Sequence, residues 1–286
     1  MENQELKVKN TFSYDELIEI LKIDNNYDNR FYVKSIVNSL IKNNDAFVRK
    51  QMIYTDKNEF LYLWELLQKF SEFFDYKYNT KIDLSNFLYF VLNGDKINFN
   101  AIFCPGYTVD GYKDYIGNNN TIRLKTLRKL KNKLEREQID FNIKITLSDI
   151  FLENTDVERN EKLYEELSVH RKKFVEVASE SFEKNEIIIL SEIFNGENYV
   201  NGFIDNSLLS GKTYCNFYKS NKSFYEKMGW SETETRKRND KLFTIYTIIS
   251  DYINAQDNGV YLPMETMYSR SKVMTNNGVC TMYLYK

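Results

Sequence analysis

From residue 97 onward the chain alternates short apolar runs with longer amphipathic segments, and this alternation constrains the fold more than any other feature. The apolar runs cover residues 97–104, 141–147, 186–190, 259–262 and 278–285. The amphipathic segments between them cover residues 122–136, 160–184 and 232–255. Strands that alternate with helices at this spacing predict an α/β fold, with a mostly parallel sheet and helices on both faces.

The first third of the chain has a different pattern, which predicts a mainly helical N-terminal region. Ser13 is followed by Asp15 and Glu16, as at a capped helix start. Helical spacing of apolar residues continues over 31–41 and 59–74, and a further segment from Lys81 ends near Gly94. We therefore predict two domains: a mainly helical region over residues 1–96 and an α/β catalytic domain over residues 97–286.

Composition excludes several classes of protein. The net charge is −2, hydrophobic residues make up 42%, and no apolar run is long enough to cross a membrane. The first residues are charged and do not resemble a secretory signal, and the three cysteines are far apart, which predicts neither disulfides nor a thiolate metal site. A cytoplasmic protein with no membrane partner is expected.

The scarce residues exclude further kinds of site. His170 is the single histidine, so a two-histidine zinc site is impossible, and its charged neighbours predict a solvated position on a helix. The sequence has no glycine-rich phosphate loop and no G-x-G-x-x-G fingerprint. We predict neither a metal nor a nucleotide cofactor.

Candidate site residues follow the first apolar run of the α/β part. Ligands of parallel sheets bind beyond the carboxyl ends of the strands. There the sequence has a turn that contains Gly106 together with Cys104, Thr108 and Asp110, which are reactive or polar. We expect Gly106 and Asp110 to contact the substrate.

Two acidic residues follow the next two apolar runs in a repeated pattern, Leu-Ser-acid-Ile-Phe. Asp149 and Glu192 are the acids, and Ser148 and Ser191 precede them. If both strands form, the two carboxylates emerge at one edge of the sheet and suit an ammonium group, ribose hydroxyls or a metal ion. The alternative is that the serines cap the following helices and the acids lie at favourable helix N-termini.

The fourth apolar run is followed by Glu265 and Arg270. A glutamate at this place can act as a general acid or base if burial raises its pKa. Arg270 is a candidate for binding substrate, and the alternative is that Glu265 forms an ion pair with Arg270 or Lys272.

Residues 122–136 form a basic amphipathic helix. Leucines recur at helical spacing, so they are expected to pack on the sheet and leave a positive outer face. The face can bind RNA phosphates by charge, or it can be a solvated surface. The candidate phosphate-binding residues are Arg123, Lys125, Arg128, Lys129 and Lys133.

These residues together resemble the tRNA-dependent cyclodipeptide synthases. Tyr261 and Glu265 have the spacing of that family's tyrosine and glutamate, and Tyr285 is similarly placed to its second tyrosine. The resemblance covers residues 97–286 and implies a Rossmann-like fold akin to class I aminoacyl-tRNA synthetases. It also implies two aminoacyl-tRNA substrates and a basic helix that holds tRNA.

The resemblance implies roles for the catalytic residues as well. The family carries its acyl intermediate on a serine in a Gly-x-Ser turn, where this chain has Gly106, Tyr107 and Thr108, with Cys104 close by. Thr108 or Cys104 would take the acyl group as an ester or thioester. Glu265 would move protons to and from the amine, and Tyr261 and Tyr285 would position it.

Two other functions are compatible with the sequence. One is a synthase that uses a free amino acid or a sugar, which Asp149 and Glu192 would bind; residues 105–117 resemble a glycine- and aspartate-containing segment of the isonitrile synthases. The other is an α/β module without enzymatic activity that binds RNA or a protein, with aromatic residues as stacking platforms.

Overall fold

The computed structural model describes residues 10–21, 27–43, 46–49, 52–74, 81–103, 118–147, 161–189, 258–264 and 280–282, with residues 192, 229, 231–233 and 284 besides. The helices are α1 (Tyr14–Leu21), α2 (Tyr27–Lys42), α3 (Lys57–Phe70), α4 (Lys81–Leu92), α5 (Asn118–Arg136) and α6 (Glu161–Ser179). The strands are β1 (Asn10–Ser13), β2 (Ala46–Arg49), β3 (Met52–Thr55), β4 (Ile97–Phe103), β5 (Phe141–Leu147), β6 (Ile187–Ile189), β7 (Gly259–Pro263) and β8 (Cys280–Thr281).

The predicted cap at Ser13 is confirmed. The Ser13 hydroxyl oxygen accepts a hydrogen bond from the Glu16 amide at 3.1 Å, and Glu16 Oε2 accepts one from the Ser13 amide at 2.6 Å. This reciprocal pair is a capping box, which satisfies donors that a helix start leaves open. The hydrogen bond from the Ser13 amide holds the pKa of the Glu16 carboxyl below its usual range.

The end of α4 also follows the prediction. Gly94 has φ +67°, a left-handed conformation that glycine adopts without steric strain. The amide of Gly94 donates to the Val91 carbonyl at 3.1 Å, and that of Asp95 donates to the Phe90 carbonyl at 2.9 Å. These bonds close the helix as a glycine C-terminal cap does.

The N-terminal part contains one feature that the sequence did not predict, a three-stranded antiparallel sheet. Its strand order is β1-β3-β2, and each strand has four residues. Runs this short contain too few alternating positions to stand out against the helices around them. The region is still mainly helical in the residues that are described.

The second sheet is parallel throughout, which confirms the predicted Rossmann-like α/β fold. Its order is β6-β5-β4-β7-β8, with β4 at the centre. All four strand pairs are parallel. β5 has the predicted bounds, whereas the predicted helix over 160–184 ends at Ser179 and a 3-10 turn, Lys184–Glu186, leads into β6.

One face of this sheet is apolar on every strand, and we call it the apolar face. It is formed by Ile97, Phe99, Ala101, Phe103, Phe141, Ile143, Ile145, Leu147, Ile187, Ile189, Val260, Leu262 and Cys280. The ring of Phe87 on α4 lies 6.3 Å from that of Phe99, and Phe174 on α6 lies 5.2 Å from Phe103. Right-handed crossovers bring α5 to the same face as α6.

The buried apolar side chains of the N-terminal part and of the parallel sheet form one cluster. Leu40 on α2, Phe70 on α3 and Leu127 on α5 all belong to it. Phe74 also pairs with Leu284 as an isolated antiparallel bridge. The hydrophobic core therefore continues across the predicted domain boundary at residue 96. Whether the two parts fold as separate domains stays a prediction.

Within the described residues, no helix combines the length and the apolar composition needed to cross a bilayer.

Candidate active site at the carboxyl edge of the parallel sheet

The strand order places a switch point between β4 and β7. The chain leaves β4 through α5 to reach β5 on one side, while β7 pairs with the other side of β4. Open α/β sheets bind ligands beyond the carboxyl ends of the two strands that flank such a reversal. Here those ends are Phe103 and Pro263, and in the sequence Cys104 and Glu265 follow them within two residues.

Several predicted site residues lie outside the residues that the structure describes. They are Cys104, Gly106, Thr108, Asp110, Asp149, Glu265, Arg270 and Tyr285. Their assignment remains a prediction. Tyr261, Glu192 and the candidate residues of the basic helix are described.

Tyr261 lies in the middle of β7 and is 2% exposed. Its register partner on β4 is Asn100, and that of Asn100 on β5 is Lys144. Register partners of neighbouring parallel strands project to the same side of the sheet. Tyr261 therefore belongs to the face opposite the apolar one.

This opposite side, which we call the polar face, carries a row of polar side chains across three strands. Asn100 is fully buried and Lys144 is half-buried, on either side of the β4–β5 pairing. Asn100 Nδ2 donates to the Asn98 carbonyl at 3.1 Å, and Asn142 Nδ2 donates to Asn98 Oδ1 at 3.0 Å. Strands covered on both faces are normally apolar on both. The row Lys144–Asn100–Tyr261 therefore marks the polar face as the chemically distinctive side.

Sequence reasoning missed Asn100 and Lys144. The signal was present, because Asn98 and Asn100 alternate with Ile97, Phe99 and Ala101 inside a run that otherwise reads as a buried strand. The prediction considered only residues that follow the strands, whereas Asn100 and Lys144 lie within them.

Thr146 adds a buried hydroxyl to the polar face, two residues beyond Lys144 toward the carboxyl end of β5. Its side chain is fully buried, and its Oγ1 has no hydrogen-bond partner in the described structure. A hydroxyl held this way is destabilising by about 1–3 kcal/mol relative to one that is hydrogen-bonded.

Arg123 differs from the other cations of the basic helix. Its side chain is half-buried, and its Nη1 donates a hydrogen bond to the main-chain carbonyl of Met264. Met264 directly follows β7, so the guanidinium lies at the switch point. Arg123 is thus part of the carboxyl edge, whereas the sequence assigned it to the outer surface.

The outer face of α5 carries four exposed cations at helical spacing, which we call the basic stripe. They are Lys125, Arg128, Lys129 and Arg136. None of them forms an ion pair with another described residue, and they span about 16 Å along the axis. The leucines at 124, 127, 130 and 134 are buried on the opposite side, as predicted.

Two lysines of α5 are paired with acids. Lys131 Nζ lies 2.7 Å from Glu186 Oε1, and Lys133 Nζ lies 3.6 Å from Glu137 Oε1. Glu137 also binds Lys69 Nζ at 2.6 Å, which lowers the pKa of the Glu137 carboxyl and raises that of Lys69. Lys133, a predicted phosphate ligand, therefore has an acidic partner one helical turn away. These pairs hold the C-terminal half of α5 to α3 and to the start of β6.

The described acids and thiols give no sign of a metal site. Glu192 is exposed, and no group of three or more His, Cys, Asp and Glu residues within the described ranges could hold a metal ion. Cys280 is a free cysteine on the apolar face, where burial raises the pKa of its thiol well above the usual value. A thiol held neutral in this way is inert as a nucleophile.

No protein-family description and no curated protein matches this sequence. Among solved structures, the chain is similar to a cyclodipeptide synthase from Fluoribacter dumoffii, at 11% identity and a TM-score of 0.41, over 66% of this chain and 89% of that one. It is similar to the tyrosyl-tRNA synthetase of Archaeoglobus fulgidus complexed with L-tyrosine, at 12% identity and a TM-score of 0.45, over 78% and 63%.

A third similar structure is the PvcA protein from Pseudomonas aeruginosa, at 11% identity and a TM-score of 0.43, over 78% of this chain and 82% of that one. The structural likenesses thus include a member of the family that the residues resemble.

Proposed function

We propose that this chain is a biosynthetic synthase that acts on an amino-acid-derived substrate at the carboxyl edge of its parallel sheet, with aminoacyl-tRNA as the donor. The observation that carries the proposal is that two sides of α5 present basic residues to two different places. Its outer side presents the basic stripe, while Arg123 reaches the Met264 carbonyl at the switch point. One helix therefore links a polyanion-binding surface to the expected site of reaction.

The chemistry follows from the residues that resemble the cyclodipeptide synthases. The Thr108 hydroxyl or the Cys104 thiol attacks the aminoacyl ester, forms an acyl-enzyme and releases the tRNA 3′-hydroxyl. The amine of a second aminoacyl-tRNA then attacks the acyl-enzyme carbonyl, which forms the first amide, releases the Thr108 hydroxyl or Cys104 thiol and leaves a dipeptidyl-tRNA. The free amine of the dipeptidyl unit attacks its ester carbonyl and releases the second tRNA 3′-hydroxyl, so the product has the mass of two amino acids minus two waters.

In this proposal Glu265 accepts and returns the amine proton, and Tyr261 orients the amine with Tyr285. The row of polar side chains on this face supports the part of Tyr261, because its register partner on β4 is the buried amide Asn100, with the half-buried Lys144 beyond it on β5. Asp110, Asp149, Glu192 and Arg270 are proposed to bind substrate.

The first test compares metabolites from cells that express the wild-type chain or Glu265→Gln. A new mass found only with the wild type, equal to two amino acids minus two waters, is expected. Glu265→Gln is isosteric, so equal solubility of both chains serves as the control. Any other new mass points to a different synthase, such as one that uses a free amino acid or a sugar. Full product from Glu265→Gln would remove Glu265 as the acid–base group.

The second test examines the basic stripe by charge reversal. Lys125→Glu combined with Lys129→Glu should weaken tRNA binding and flatten its salt dependence, since each phosphate contact contributes a slope of about −0.7 to −0.9. Lys172→Glu with Lys173→Glu, exposed on α6, is the matched control. Retained tRNA binding together with no product from the wild type would favour an RNA-binding module without enzymatic activity.

A further inference from the structure

We propose that Arg123 is a positioning residue whose guanidinium fixes the carboxyl end of β7 and, with it, the start of the segment that carries Glu265. Glu265 has its role from the proposed function, on which this inference rests. Arg123 thus shapes the site of reaction, whereas the sequence placed it among the residues of the basic helix that bind tRNA phosphates.

Both main-chain polar groups of Met264 are held by other elements. Its amide donates to the Ile102 carbonyl of β4 at 3.0 Å, and its carbonyl accepts from Arg123 of α5. The Met264 side chain is buried as well. Met264 therefore joins β4, β7 and α5 at the switch point.

The position of that carbonyl matters because of peptide geometry. The oxygen that Arg123 binds belongs to the peptide bond between Met264 and Glu265, and the six atoms of a peptide unit are planar. A constraint on the oxygen is thus a constraint on the direction in which the chain enters Glu265. A general base that is misplaced by about 1 Å can lose on the order of a hundredfold in rate.

The helix that carries Arg123 is well anchored. Leu124 and Leu127 are buried beside it, and the other end of α5 is tied to neighbouring elements by the Lys131–Glu186 and Lys69–Glu137 pairs. An arginine suits this position because its guanidinium remains charged at every accessible pH and presents donors in a fixed plane.

The experiment uses the full chain with Arg123→Met and Arg123→Lys, and Arg128→Met as the control. Arg128 is the same residue type on the same helix, but it belongs to the basic stripe. Amide hydrogen exchange at Met264 and steady-state kinetics are measured for each variant. Exchange in β5 reports whether each variant remains folded.

For Arg123→Met we expect exchange at Met264 to rise about tenfold or more, and kcat to fall by at least as much with KM nearly unchanged, as expected for a lost charge-assisted hydrogen bond. Arg123→Lys should restore part of the protection from exchange and part of kcat, since an ammonium group can still donate a hydrogen bond to the Met264 carbonyl. Arg128→Met should raise KM and leave the exchange at Met264 as in the wild type.

Unchanged exchange at Met264 in Arg123→Met, with β5 protected, would overturn the inference. So would a rise in KM without a fall in kcat, because that pattern belongs to a residue that holds the substrate. If the wild type makes no product, the proposed function fails, and the exchange measurement alone still decides whether Arg123 fixes the end of β7.

Discussion

The two faces of the parallel sheet are made by the same strands, yet they differ in chemistry. On β4, Phe99 projects to the apolar face and Asn100 to the polar face, and both are fully buried. Phe99 has Ile143 and Val260 as register partners, whereas Asn100 has Lys144 and Tyr261. Phe99 and Asn100 are equally buried, so burial alone does not account for the amide at position 100.

The difference indicates a division of roles within one sheet, with one face for stability and the other for function. The apolar face carries the packing against α4 and α6 that stabilises the fold. The polar face retains groups that packing would not select, among them the hydroxyl of Thr146. Substitutions on the first face should therefore lower stability, and those on the second should affect function more than stability.

The largest expected effect is on the apolar face. Phe99→Ala removes a fully buried ring that contacts Phe87, and we expect the free energy of unfolding to fall by about 3–5 kcal/mol. The midpoint of urea unfolding measures it. Asn100→Ala is the control at the next residue of the same strand and should lower stability by only about 1–3 kcal/mol. Equal losses in the two variants would contradict the division.

A smaller effect of opposite sign is expected on the polar face. Thr146→Val replaces the buried hydroxyl with a methyl group of similar shape, so the free energy of unfolding should stay unchanged or rise by about 1 kcal/mol. Thermal unfolding monitored by circular dichroism checks this. A marked loss of stability would show that Thr146 Oγ1 has a hydrogen-bond partner in solution.

The smallest effect is expected at the surface, outside both faces. Lys69 binds Glu137 and lowers the pKa of its carboxyl, so the pair stabilises the fold above the ordinary pKa of glutamate and loses this contribution as the pH falls through the folded-state pKa. The raised pKa of Lys69 preserves the pair until the pH rises past the ordinary lysine value.

Urea midpoints of the wild type and Glu137→Gln should therefore differ slightly near neutral pH and converge in acid. Added salt should reduce the difference, because both side chains are near the solvent. A difference that persisted at low pH would mean that the substitution acts on packing instead of charge.

The fold was largely predictable because its strongest signals are local. The strand Phe141–Leu147 was predicted with its observed bounds, since its apolar residues alternate with Asn142, Lys144 and Thr146 and polar residues flank it on both sides. The leucines of α5 were placed correctly on the buried side, because helical periodicity relates each of them to the next.

The site was less predictable, since it depends on which strands are neighbours. Asn100 and Tyr261 are far apart in the sequence, and only the order β5-β4-β7 makes them register partners. Arg123 looked like the other basic residues of its helix, because nothing local shows that it reaches Met264. The short strands β1, β2 and β3 were missed because four residues carry little periodic signal.

The central position of β4 has a consequence for how the chain is made. Its two neighbours are synthesised at very different times: β5 follows through a single helix, but Phe99 must wait for Val260, 161 positions later. At translation rates of about 5–20 residues per second, one edge of the central strand stays unpaired for roughly 8 to 30 seconds on the ribosome. An open, apolar strand edge is a template for aggregation. Chaperones that shield nascent chains should accordingly raise the yield of folded protein.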